Sequence, residues 1–361
     1  MRWNSARSLG DPHELGWWGW LAGAARSEPE VALAADEVDR HALRLVTISR
    51  RGDSELALHR FAELPRLLGA GDLVVVNDAA TLPASLVGVT AQGEPFELRL
   101  TAPVDGGCVD GVLFDDGDWR TRTEHRGPPP AVAVGDRVMI EGKLAARVVA
   151  VTGRRVRLAA DGGAEVWWSA IYERGKAVQY AHRRDELPLW AVQTAYAGRP
   201  WAVEMPSAGR GLTWEVLLGL RDAGIRVATL THAAGLGATG DAALDRALPL
   251  PERYEVPQST ADAIAESHRA GGRVIAIGTS VVRALEASGG RAGAGVATLR
   301  LDRTYELRVV DGLVSGRHVP GESHFEMLEA FAPAERLRQA LQLAARAGLS
   351  GHELGDACLI A

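Results

Sequence analysis

Long apolar runs, cysteine and lysine are all scarce in this 361-residue chain. No apolar stretch reaches the roughly 18 residues a membrane-spanning helix needs, so no membrane span is expected. Only two cysteines occur, Cys108 and Cys358, far apart and not in a CxxC pair. That spacing argues against a cysteine zinc site. A disulfide is open in principle, but reduced thiols in a cytoplasmic protein are the expectation. Lysine stands only at Lys143 and Lys176, and every other Lys or Arg position is arginine. Any phosphate or carboxylate contact would therefore use planar, bidentate guanidinium groups. Missing too are GxGxxG after a strand, the GxxxxGKS/T loop, HExxH and GxSxG, so no familiar nucleotide, zinc-protease or hydrolase signature applies.

What is present is ordinary for a soluble enzyme: 47% hydrophobic and 24% charged residues. The length allows two domains, or one large domain with an insertion. Net charge is −6, from 40 Lys plus Arg against 46 Asp plus Glu. A protein built only to hold nucleic acid would be basic, although local patches decide affinity rather than the sum. Near the N-terminus, LGWWGWLAGAA (15–25) is apolar, but acidic residues precede it and tryptophan dominates it. It reads as a packed or partner-facing arm rather than a signal segment.

The expected fold class is α/β. LRLVTIS (43–49) and LALHRF (56–61) read as paired strands. LVVVND (73–78) is a continuous apolar run ending in a polar pair, the form of a buried strand whose end meets a site. Between about 85 and 165, six short β-type runs recur with Gly and Pro between them, which suggests a small antiparallel barrel. From about 200 onward helix and strand alternate: TWEVLLGLRDAG, IRVATLTH, STADAIAESHRAGG, RVIAIGTS. This alternation implies parallel strands with covering helices. Thr213 is the expected N-cap of the first helix, and Ser259 or Thr260 of the second. The Gly-Ala stretch 288–297 reads as a loop. The domain division expected is 1–84 for the arm and the first part of the main domain, 85–165 for the barrel insertion, and 166–361 for the remainder.

In parallel sheets ligands sit beyond the C-terminal strand ends. Three apolar strands here end in polar groups: Asn77-Asp78, Thr231-His232 and Gly278-Thr279-Ser280. Their convergence would make one pocket. Asn-Asp is also turn-prone, and a lone His is more often structural. Pro206-Ser207-Ala208-Gly209 offers small residues and backbone N–H groups at a helix start, suited to a polar ligand. Arg283, one turn into a helix, either clamps a carboxylate or pairs with Glu286 on the surface. His318, Glu322 and His324 flank a Pro-Gly turn and are acid/base candidates. Their spacing fits no common metal set.

Six segments carry a resemblance in the same order along the chain. They are GDLVVVNDAATLPASL (71–86), VQTAYAGRPWAVEMPSAGRGLT (192–213), ERYEVP (252–257), GGRVIAIGTSVVRALE (271–286), VVDGLVSGRHVPGESHFEMLEAFA (309–332) and GDACLI (355–360). Together they resemble the S-adenosylmethionine:tRNA ribosyltransferase-isomerase family of the queuosine pathway. The resemblance implies transfer and isomerisation of the ribosyl group of S-adenosylmethionine onto a 7-aminomethyl-7-deazaguanine base in tRNA, with release of adenine and methionine. It implies no metal and no cofactor beyond S-adenosylmethionine as co-substrate. The expected partners are S-adenosylmethionine and tRNA, for a monomer in the cytoplasm. His318, His232 and Asp78 are the implied catalytic residues. Asn77, Pro206, Ser207, Ala208, Gly209, Thr231, Tyr254, Gly278, Thr279, Ser280, Arg283 and Glu322 are the implied substrate contacts.

The chain also departs from the family pattern. Ala79, Ala80 and Ser85 stand where the family usually carries a basic residue after Asn-Asp and an arginine following Pro-Ala. Gly316-Arg317 replaces Asn-Phe ahead of His318, and the His and Glu expected before the Tyr-Glu-Val element are missing from ALDRALPLPERYEV. Two rival readings follow: an enzyme passing S-adenosylmethionine chemistry to a small-molecule acceptor, and a non-catalytic RNA- or partner-binding homologue.

Overall fold

A computed structural model of the chain describes residues 39–50, 55–181, 185–351 and 354–361. The tryptophan-rich arm read from the sequence lies outside the described residues.

The chain first forms β1 (Arg44–Ile48) and β2 (Ala57–Arg60), an antiparallel pair. A single helical turn, α1 (Leu64–Leu67), leads to β3 (Leu73–Asn77), and a short β4 (Ala79–Thr81) follows. All five residues of β3 are buried, as an uninterrupted apolar run requires of a strand covered on both faces.

The six β-type runs then form β5 (Ser85–Thr90), β6 (Pro95–Leu100), β7 (Cys108–Phe114), β8 (Arg137–Ile140), β9 (Leu144–Thr152) and β10 (Arg155–Ala160). They close into an antiparallel barrel in the order β10-β7-β6-β5-β8-β9. Alternate residues such as Leu86, Phe96, Leu98, Val148 and Val156 fill it. Helix α2 (Gly163–Arg174) plugs Trp167 against the barrel, its Nε1 donating to the Gly107 carbonyl at 2.8 Å.

Past the barrel come β11 (Arg199–Ala202), α3 (Trp214–Asp222), β12 (Arg226–His232), α4 (Ala242–Ala247), β13 (Glu252–Val256), α5 (Gln258–Arg269), β14 (Val274–Ile277) and α6 (Thr279–Ser288). The chain ends through β15 (Gly293–Ala297), β16 (Gly312–Gly316), α7 (Ser323–Leu328), α8 (Ala334–Arg346) and β17 (Ala357–Ile360). Nine of these strands make one sheet, in the order β15-β13-β12-β3-β14-β16-β17-β1-β2. The period-2 alternation of strands sorts their side chains. Leu73, Val75, Val274 and Ala276 face α5 and α6, while Val74, Val76, Ile275 and Ile277 face α1 and α3.

The expected parallel strands with covering helices form the sheet's centre: β12, β3, β14 and β16 run parallel. Its flanks are mixed: β13 pairs antiparallel with β12 and β15, and β17 pairs antiparallel with β16 but parallel with β1. Helix–strand alternation along a sequence carries no information about the direction of such edge strands.

Three local expectations change. Neither Ser259 nor Thr260 caps α5: Pro257 is the N-cap, and Thr260 Oγ1 donates to the Thr229 carbonyl at 2.6 Å. The Gly-Ala stretch is not all loop, because Gly293–Ala297 forms the edge strand β15. Its glycine content has a steric cause. A Cβ on Gly295 would stand 2.5 Å from the Tyr254 hydroxyl, so the ring lies flat over bare backbone. Third, Thr213 does cap α3, accepting from Val216 N at 3.5 Å, but the Pro206–Gly209 element lies in a separate turn before it.

Candidate active site

Because β12, β3 and β14 are parallel neighbours, their C-terminal ends lie side by side. Leu230 is in register with Asn77, and Ile277 with Val76. Asn77 stitches these ends together. Its Nδ2 donates to the His232 carbonyl (2.9 Å) and to Ser280 Oγ (3.4 Å). Its Oδ1 accepts from His232 N (2.9 Å) and Ala79 N (3.1 Å). A primary amide has two donor hydrogens and two acceptor lone pairs, so the buried Asn77 is fully used. These bonds make Asn77 the residue that holds the three strand ends together.

Asp78 is the exposed half of the pair. Its Oδ1 accepts from Thr231 Oγ1 at 2.6 Å, and its backbone is held by the Leu230 carbonyl and the Gly198 N–H. Beside it, burial and then the Asp78 charge push the Tyr196 phenol well above its ordinary range, so Tyr196 remains a neutral donor.

Pro206 to Gly209 form a 3-10 turn, with Gly209 N donating to the Pro206 carbonyl at 3.0 Å. Expected at the mouth of a helix, they instead press against the β14–α6 junction. Ala208 Cβ lies 3.5 Å from the point where Gly278 would carry one. Gly278 itself has φ +95°, a conformation that favours glycine. Thr279 and Ser280 open α6 behind it, half-buried.

A second group lies along the same edge. His232 is fully buried, and neither ring nitrogen has a hydrogen-bond partner. Its Nε2 is 3.4 Å from Glu252 Oε2. Burial, and next the Arg283 charge, depress the ring's pKa to about 3, so it is neutral at physiological pH. The contact is therefore one of proximity, not an ion pair, and the partner of Glu252 is Arg283, whose Nη1 bonds the same oxygen. Glu252 Oε1 accepts from Gly235 N at 2.6 Å. Arg283 also donates to the carbonyls of Leu250, Ala297 and Leu299. Of its five N–H groups four have partners inside the protein. That corrects the expectation of a surface pair with Glu286: the acid that Arg283 meets is Glu252. Glu286 is itself buried and accepts from the backbone N–H groups of Arg308, Val309 and Val310.

After β16, His318 Nδ1 sits 3.5 Å from Glu322 Oε2, and its ring lies 4.7 Å from that of His324. Burial would raise the Glu322 carboxyl, but His318 and the Val319 N–H together hold it below the usual range. His324 is driven to a pKa of about 3 by burial, and further by the His318 charge. Tyr254, opposite His232 in the β12–β13 ladder, completes the group. Among the described residues no cluster of three or more His, Cys, Asp or Glu side chains could hold a metal ion.

A family model described as "Queuosine biosynthesis protein" matches residues 28–360. The chain belongs to that family. Among the relatives of this chain is the S-adenosylmethionine:tRNA ribosyltransferase-isomerase of Thermus thermophilus, 31% identical over 350 residues and covering 92% of this chain and 96% of that protein. The enzyme of the same name from Gloeobacter violaceus is 33% identical over 326 residues, covering 85% of this chain and 87% of that protein. That of Rubrobacter xylanophilus is 31% identical over 333 residues, covering 90% and 92%.

Sequence reasoning missed Glu252, reading its region as stripped of the acid. The signal was available in ERYEV. Strand alternation puts Glu252 on the face of Tyr254 and Val256, both of which are buried.

The two neutral histidines predict acid lability. Each is protonated below pH 6.5 when unfolded, and only below about 3 when folded. Between those values the unfolded state binds more protons, so the stability they contribute is complete above pH 6.5 and is lost as pH falls. Each should cost roughly 1 kcal/mol per pH unit across that window. The melting temperature should fall steeply from pH 7 to pH 4.5, and His324→Gln should flatten the fall. A variant with the wild-type slope would show that His324 is not the cause.

Proposed function

We propose that this chain transfers and isomerises the ribosyl moiety of S-adenosylmethionine onto a 7-aminomethyl-7-deazaguanine base in tRNA, giving epoxyqueuosine and releasing adenine and methionine. The observation that carries this reading is the family match across nearly the whole chain, with relatives of that name at 30% identity or above.

The strand-end geometry supplies groups for the chemistry. Adenine departure needs a proton or a hydrogen bond to the purine, and forming the ylide needs a base beside the sulfonium carbon. In this reading Asp78, half-exposed and hydrogen-bonded by Thr231, accepts that proton. In this reading His318, beside Glu322 and partly exposed, gives one to the leaving purine. His232 is buried at the end of β12, one residue past Thr231. Its unpartnered nitrogens offer a hydrogen bond to the nucleoside. The reaction in this proposal uses no metal and no cofactor beyond S-adenosylmethionine. It takes place in the cytoplasm on a monomer with tRNA as acceptor. Among the described residues no helix is long and apolar enough to cross a membrane.

The test is adenine release from S-adenosylmethionine by the purified chain, with and without tRNA carrying the aminomethyl-deazaguanine base. Release that requires this tRNA is the expected result. Retained S-adenosylmethionine binding without release on that tRNA would reject the acceptor.

A further inference from the structure

Trp201 stands half-buried in β11, with two guanidinium groups over its indole ring. Arg253 lies 5.0 Å from the ring centroid and Arg199 5.6 Å. Arg199 is tied to Glu255 by two bonds of 2.5 and 3.1 Å, so the charge of Glu255 is spent there. Arg253 is exposed. Among the described residues its side chain has no hydrogen bond and no ion pair. A cation held only by an aromatic face keeps its charge and its donors for a ligand.

These groups continue the strand-end site. Residues directly opposite in an antiparallel ladder share a face, as do residues two apart along a strand. Thr231 is opposite Glu255, and Arg253 lies two residues before Glu255. Thr231, Glu255 and Arg253 therefore share one face of the sheet, away from the buried Tyr254. Thr231 Oγ1 is the group that bonds Asp78, and Arg199 is in register with Ala79, the residue after Asp78. The result is a continuous strip from Asp78 through Thr231 and Glu255 to Trp201 and Arg253.

The chemistry of this strip fits single-stranded nucleic acid. An aromatic ring beside cations takes a base by stacking and the adjoining phosphate by charge. A merely acidic partner would use the cations and leave the indole idle. The whole chain carries a net charge of −6, so an uncompensated arginine here is a local feature rather than part of a general basic surface. We infer that Trp201 and Arg253 dock an unpaired nucleotide next to the one that reacts at Asp78. Its base stacks on the indole–guanidinium layer, and Arg253 meets its phosphate. The inference rests on the RNA acceptor proposed above and names the surface that holds it outside the reacting nucleotide.

The test is the affinity of the full chain for tRNA carrying the aminomethyl-deazaguanine base, read by fluorescence anisotropy over a series of salt concentrations. Trp201→Ala should weaken binding by about tenfold or more, the loss of one stacked base. Trp201→Phe keeps a ring and should retain most of the affinity. Arg253→Gln should reduce the slope of log affinity against log salt by about 0.7, one phosphate contact on a single strand. Affinity for S-adenosylmethionine should be unchanged in all three variants. Wild-type tRNA affinity in Trp201→Ala, or a wild-type salt slope in Arg253→Gln, overturns the docking surface and leaves the proposed function standing. Parallel loss of S-adenosylmethionine binding in Trp201→Ala also overturns it, because Trp201 then acts through the fold. A wild-type chain that binds S-adenosylmethionine but no tRNA removes the surface and the acceptor together.

Discussion

Glu252→Ala should destabilise the chain by about 3–5 kcal/mol, the range for removing one partner of a buried ion pair. The reason lies in what the substitution leaves behind. The Arg283 side chain is 3% exposed, and its pKa is lowered by burial to about 10, so it is still charged at neutral pH. Three carbonyls remain around it, but no anion. Gly235 N loses its acceptor in the same change, and the loop that follows His232 loses an anchor. Thermal unfolding of wild type and Glu252→Ala at pH 7.5 measures the effect. The double variant Glu252→Ala/Arg283→Met removes the stranded charge and should recover part of the loss. If the single variant melts with wild type, Arg283 is not the cation that Glu252 neutralises.

This pair shows where sequence reading reached and where it stopped. Composition and alternation were enough for the strands: β3, β12 and β14 were legible because each is an apolar run ending in a polar pair. The six barrel strands were legible because Gly and Pro separate β-branched runs. Strand direction at the sheet's flanks was not, since nothing in β13 or β17 records which neighbour it meets. The rim of the site was half legible. Asn77, Thr231 and Ser280 were rightly placed together, but Asn77 closes its bonds on residues 155 and 203 positions away. No local pattern reports that a side chain's partners lie at such distances. Arg283 failed for the same reason. Its spacing to Glu286 suggested a helical pair, whereas the acid it meets comes from a strand 31 residues earlier.

Fold and chemistry are coupled through that rim. Residues whose polar atoms are used inside the protein, Asn77 and Arg283, set the positions of those with capacity left over, Asp78, His232 and His318. Substitutions in the first set should register mainly in stability, and in the second mainly in turnover.

His318→Gln is the sharpest test of the second set. The His318 side chain is 22% exposed, and its contacts are Glu322 at 3.5 Å and the His324 ring at 4.7 Å. Little packing depends on it, so the variant should melt close to wild type. If His318 delivers a proton to the leaving purine, its loss removes a general-acid contribution of about 10²–10⁴ in rate. Adenine release on the modified tRNA should fall by that factor, while the dissociation constant for S-adenosylmethionine changes by less than about threefold. Such a split assigns the group to the transition state, because an interaction made only there leaves ground-state binding untouched. A fall of equal size in rate and affinity would instead assign His318 to ligand binding, with the proton coming from elsewhere. Glu322→Gln separates these outcomes further. Its carboxylate aligns the ring through Nδ1 and also accepts from Val319 N at 3.0 Å. If His318 is the acid, loss of that carboxylate should lower the rate and shift its pH profile. If His318 only binds the ligand, the profile should keep its wild-type shape.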